Sequence, residues 1–99
     1  MIERLKAIHA LSRRVNTDES IHREKLLRMM EHHIDEIRTL LLKDDPHAYV
    51  ETGDLMILAM ELLLEGSKDP KEMFDYCSGR FERKLHAILD EREHPASDQ

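Results

Sequence analysis

Apolar residues return every three or four positions along most of this chain, and little interrupts them: its 99 residues include only three glycines and three prolines. That period is one face of an α-helix. So few turn residues exclude the many tight turns of an all-β sandwich and the glycine-rich loop of a nucleotide-binding α/β fold. An all-α chain of long helices and short loops is expected. Ile2, Leu5, Ile8, Leu11 and Val15 mark a helix over about 2–15, which Asn16-Thr17-Asp18 ends. Ile21, Leu27, Met30, Ile34, Ile37 and Leu41 mark a second over about 18–43. Asp45-Pro46 and Asp69-Pro70 repeat one signal, an aspartate to cap free amides and a proline where no N–H is needed. They open helices over about 46–65 and 70–93, with Gly66 read as the left-handed cap that ends the third. In the fourth, Phe74, Cys77, Phe81, Leu85 and Ile88 form the stripe expected to be buried, Cys77 as core packing. Residues 1–94 read as one four-helix, bundle-like domain, and 95–99 as a disordered tail.

The third helix breaks the pattern. Leu55, Met56, Ile57, Leu58, Ala59, Met60, Leu62, Leu63 and Leu64 cover its whole circumference, so it should be buried on every side. Three helices from so short a chain hardly surround it, and a second copy across a two-fold axis is the expected cover. A homodimer, or a tetramer built from it, follows; the alternative is a tightly packed monomeric bundle. Gly53 costs about 1 kcal/mol against alanine inside a helix and usually marks close approach, by another helix or by a ligand.

A formal charge of −6 repels a polyanionic backbone, which argues against a nucleic-acid polymer as partner. The most apolar run, Leu55 to Leu64, carries Glu61 and falls short of the roughly 18 residues that span a bilayer. One cysteine forms no internal disulfide, and the start, Met1 to Lys6, lacks the apolar segment of a secretory signal. A cytoplasmic protein without a membrane partner is expected.

Four carboxylates stand out. Glu31 and Asp35 are one turn apart on the second helix, and Glu51 and Asp54 lie at a three-residue step just before the apolar run. Like-charged neighbours repel by a few tenths of a kcal/mol on an exposed helix, and by more when desolvated, unless a cation sits between them. Hard oxygen ligands suit Mg²⁺ or Mn²⁺. With 21 acidic residues in the chain, such spacings also arise on solvated faces, but here they flank an apolar run.

The segments Glu31-His32-His33-Ile34-Asp35 and Glu51-Thr52-Gly53-Asp54-Leu55 resemble the EExxE and ExxD pair of the MazG-like, all-α nucleoside triphosphate pyrophosphohydrolases. Asp69-Pro70-Lys71-Glu72 through Ser78-Gly79-Arg80-Phe81-Glu82-Arg83-Lys84 resembles that family's last helix, so the likeness spans roughly residues 20–90. It implies Mg²⁺, or Mn²⁺, held by Glu31, Asp35, Glu51 and Asp54, with Arg80, Arg83 and Lys84 on the substrate phosphates. Glu31 or Glu51 would handle the attacking water. The implied reaction cleaves a nucleoside or deoxynucleoside triphosphate to the monophosphate and pyrophosphate. His32 stands where the family has its second glutamate, Asp35 is a shortened glutamate, and Ser78 replaces a common asparagine. Phosphoribosyl-ATP pyrophosphohydrolases and dimeric dUTPases share such helices, and a catalytically weak or silent helical dimer acting as a binding protein is the alternative from another class.

The remaining polar residues are less specific. His32 is a possible accessory ligand through its imidazole, whereas His33 reads as a partly buried or surface histidine. His9, His22, His47, His86 and His94 show no ligand spacing. Arg80 and Lys84 share a helix face, which suits phosphate contact and a solvated, salt-bridged surface equally. Glu61, in an apolar helix, needs a partner, either a metal or substrate group or an arginine from another helix.

Overall fold

The computed structural model describes residues 1–94, so the expected disordered tail lies outside the described residues. Among them all regular secondary structure is helical: α1 (Ile2–Val15), α2 (Glu19–Leu42), α3 (His47–Glu65) and α4 (Pro70–Glu93). None of these helices is long and apolar enough to cross a membrane.

The helix starts follow from capping chemistry. The Asp18 carboxylate accepts from the amides of Ser20 and Ile21 at 2.9 and 3.3 Å. Asp69 accepts from Lys71 at 3.3 Å, with Pro70 in the first turn. Asp45 accepts from His47 at 2.9 Å, although the helix begins one residue later than expected, with Pro46 as its N-cap.

At the end of α3 the expectation fails. Gly66 is not left-handed (φ −86°); Ser67 is, at φ 57°. The Lys68 amide donates to the Leu63 carbonyl and the Ser67 amide to the Leu64 carbonyl, at 2.9 and 3.0 Å, the paired bonds of a Schellman closure. The end of α2 is built alike: Asp44 is left-handed, and Asp45 and Asp44 donate to Leu40 and Leu41. In each case the turn falls one residue beyond the C-cap, and in the α3 closure Gly66 occupies that cap itself.

Residues Met1–Lys68 form one compact unit, and α4 belongs to a second that begins at Asp69. In the first, α2 and α3 pack as an antiparallel hairpin: His22, early in α2, faces Glu65 at the end of α3, and His33, further on, faces Glu51 and Asp54. Helix α1 packs on α3 through Leu5, and its His9 and Arg13 also reach Glu65, at 2.7 and 3.1 Å. Among the described residues of this unit, Leu5, Leu26, Ala48 and Leu58 form the buried apolar core.

The buried face of α2 differs from the expected stripe. His22 and Leu26 are buried and Met30, His33, Ile37 and Leu40 partly so, at helical spacing. Ile21, Leu27, Ile34 and Leu41 are exposed. Two histidines occupy the inward face, and a pattern that counts only apolar residues skips them. Helix α3 is half-buried, not enclosed: Met56 is 56% exposed, and a Cβ added at Gly53 meets no atom within 4 Å. The close approach expected at Gly53 is therefore not made among the described residues. On α4, Phe74, Phe81, Leu85 and Ile88 keep the expected spacing but are exposed, and Cys77 is only part-buried, because an amphipathic stripe is buried only where another surface meets it.

Ser67→Gly should stabilise the fold by about 1 kcal/mol, because a left-handed backbone costs an L-residue that much and glycine little. Urea denaturation followed by circular dichroism measures it.

Candidate functional site

Three polar side chains meet between α2 and α3. His33 projects from the inward face of α2 and is 18% exposed at its side chain. Its Nδ1 stands 3.5 Å from Glu51 Oε2, and its Nε2 stands 3.8 Å from Asp54 Oδ2. Glu51 and Asp54 come from consecutive positions on one face of α3, because a three-residue step turns the helix by about 300°. One ligand atom from each of the three residues lies within 4.8 Å of the others. His47, one turn before Glu51, approaches its other oxygen at 3.4 Å.

Both contacts of His33 are too long for good hydrogen bonds, and its buried Nδ1 has no hydrogen-bond partner. One imidazole and two carboxylates thus lie close enough together to be candidate ligands of one divalent ion. The donor set, one imidazole with two carboxylates, is compatible with Mg²⁺ and more so with Mn²⁺, which takes nitrogen more readily. Beside it opens a cleft of about 370 Å³ lined by Ile8, Met29, His33, Asp54, Ile57 and Leu58. One wall is acidic and the rest is apolar.

Of the four carboxylates singled out in the sequence, only Glu51 and Asp54 join this group. Glu31 and Asp35 are exposed. They lie two residues either side of His33, and two residues turn an α-helix by about 200°, so both stand on the face opposite the imidazole. Asp35 pairs there with Arg38 at 3.8 Å. His32 is also exposed, 3.7 Å from Glu36 on its own helix. Glu61 is buried, 3% exposed, and its Oε1 has no hydrogen-bond partner.

On α4, Arg80, Arg83 and Lys84 line one shallow surface with Ala87. The Lys84 ammonium sits 5.9 Å from the Phe81 ring centre, within cation–π range. These three cations are exposed and adjacent.

The residue that sequence reasoning passed over is His33. One signal was available: His22, Leu26, Met30 and His33 follow one another at four-, four- and three-residue steps, so both histidines belong to the inward stripe.

Asp35→Asn should leave Mn²⁺ affinity unchanged within about twofold, since an exposed pair contributes little. Glu51→Gln should weaken it more than about tenfold, as loss of a direct ligand does at least what loss of an outer partner does. Calorimetric titration of the two variants checks both. No family model, no curated protein and no solved structure matches the chain.

Proposed function

We propose that the chain is a divalent-metal-dependent nucleoside triphosphate pyrophosphohydrolase of the MazG-like kind, with its metal centred on Glu51, Asp54 and His33. The observation that carries the reading is the meeting of these three side chains across α2 and α3, with His33 Nδ1 buried and unsatisfied. Bound Mg²⁺ or Mn²⁺ supplies charge neutralisation of the phosphates and a more acidic water.

The chain's own groups divide the other tasks. Glu51 is the better placed of the two glutamates to hold the proton of the attacking water, because Glu31 stands on the far face of α2. The apolar walls of the cleft, Ile8, Met29 and Ile57, shield a nucleobase from water and would discriminate among bases. Pyrophosphate release from a panel of ribo- and deoxyribonucleoside triphosphates, with Mn²⁺ and with Mg²⁺, tests the activity. Turnover of at least one should appear and should fall more than about tenfold in Glu51→Gln.

The outward position of Glu31 and Asp35 favours a second reading, a helical scaffold that binds metal or nucleotide without turnover. Nucleotide binding in Mn²⁺ without pyrophosphate release from any member of the panel would decide for it.

The same proposal includes a homodimer. Among the described residues the buried apolar core is small (Leu5, Leu26, Ala48 and Leu58), α3 is only half covered, and Leu27, Ile34 and Leu41 leave an exposed apolar seam along the flank of α2. A small domain with so little core commonly gains the rest by association. Light scattering after size exclusion should give twice the chain mass, and Ile34→Lys should shift it toward the monomer while helicity is retained.

A further inference from the structure

A second polar cluster in the first compact unit lies apart from the His33 group, at the other end of the α2–α3 hairpin. His9 from α1, His22 from α2 and Glu65 from α3 each bring one ligand atom within 4.8 Å of the other two. His9 Nε2 is 2.7 Å and His22 Nε2 is 3.5 Å from the same oxygen, Glu65 Oε1. The other oxygen, Oε2, accepts from Arg13 at 3.1 Å. Two imidazole nitrogens and one carboxylate oxygen therefore converge, while the guanidinium holds the carboxylate from behind.

His22 makes this more than a salt-bridge network. Its side chain is 1% exposed, and neither ring nitrogen has a hydrogen-bond partner. A buried imidazole without partners is costly, and its Nε2 stands 3.5 Å from the shared oxygen without a hydrogen bond to it. One turn before Glu65, Glu61 buries a second carboxylate whose Oε1 is also unsatisfied.

We infer that His9, His22 and Glu65 bind a transition-metal dication of the Zn²⁺ class, a site distinct from the one proposed between His33, Glu51 and Asp54. Ligands 2.0–2.1 Å from a tetrahedral ion stand about 3.3 Å apart, close to the 3.5 Å between His22 Nε2 and Glu65 Oε1. The shorter His9 contact is a hydrogen bond that the ion replaces, displacing the proton between the two atoms. Two nitrogens and one oxygen are softer than an all-carboxylate set, which selects Zn²⁺ or Co²⁺ over Mg²⁺. Access is open, since His9 is 20% exposed at its side chain and His22 lines a cleft of about 200 Å³ with Ser12, Asn16 and Leu26. Such an ion would tie α1, α2 and α3 together, so its role is structural.

The test uses the full chain carrying His33→Asn and Glu51→Gln, which removes the other cluster, with Co²⁺ as optical probe and Zn²⁺ as competitor. One equivalent of Co²⁺ should bind with the visible absorption of a four-coordinate ion, be displaced by Zn²⁺, and bind more than about tenfold more weakly after His9→Asn. In the wild-type chain, Zn²⁺ should shift the imidazole nitrogen resonances of both His9 and His22, a readout that needs no substitution at the buried His22. Absence of the absorption band, unchanged affinity in His9→Asn, or imidazole resonances of His9 and His22 that ignore Zn²⁺ would each overturn the assignment. Nucleotide turnover is read in neither arm, so the outcome is independent of the hydrolase proposal.

Discussion

One buried carboxylate holds three helices together. Glu65 ends α3, faces His22 early in α2, and takes His9 and Arg13 from α1. A charge at 3% side-chain exposure persists only where partners surround it, so these contacts set where α1 can lie and how far α2 is rotated about its axis. His22 must face inward to reach Glu65, and His33, eleven residues or about three turns later, then faces inward as well. The candidate metal cluster at the far end of the hairpin is thus a geometric consequence of the polar tie at the near end.

The helix boundaries were legible because they are written in local chemistry. Asp18, Asp45 and Asp69 cap free amides within two or three residues of themselves, and no tertiary contact is needed to read that. Which side of a helix faces inward is a tertiary matter, and there the reading slipped. On α2 Leu27, Ile34 and Leu41 are exposed, while the inward face includes two histidines that stand opposite carboxylates of α3. Apolar periodicity is blind to a polar residue on the buried face. The left-handed turn was misplaced for a related reason: Gly66 drew the assignment by its residue type, but hydrogen-bond closure falls one step later, at Ser67.

The candidate site divides along the same line. Glu51 and Asp54 were visible because the acidic pair directly precedes an apolar run. Their partner was harder to find, since its one signal is the helical spacing that His33 shares with His22, Leu26 and Met30. An inward imidazole beside two carboxylates is a different donor set from four carboxylates: it suits Mn²⁺ better and carries less negative charge.

The exposed seam of α2 has a directional consequence. Leu27, Ile34 and Leu41 recur every seven residues, whereas a straight α-helix completes two turns in slightly more than seven and drifts by about 20° per repeat. Any helix that follows all three side chains must therefore wrap around α2 in a left-handed supercoil, inclined to it by about 20°. The seam thereby dictates the handedness of whatever helical surface comes to lie along it.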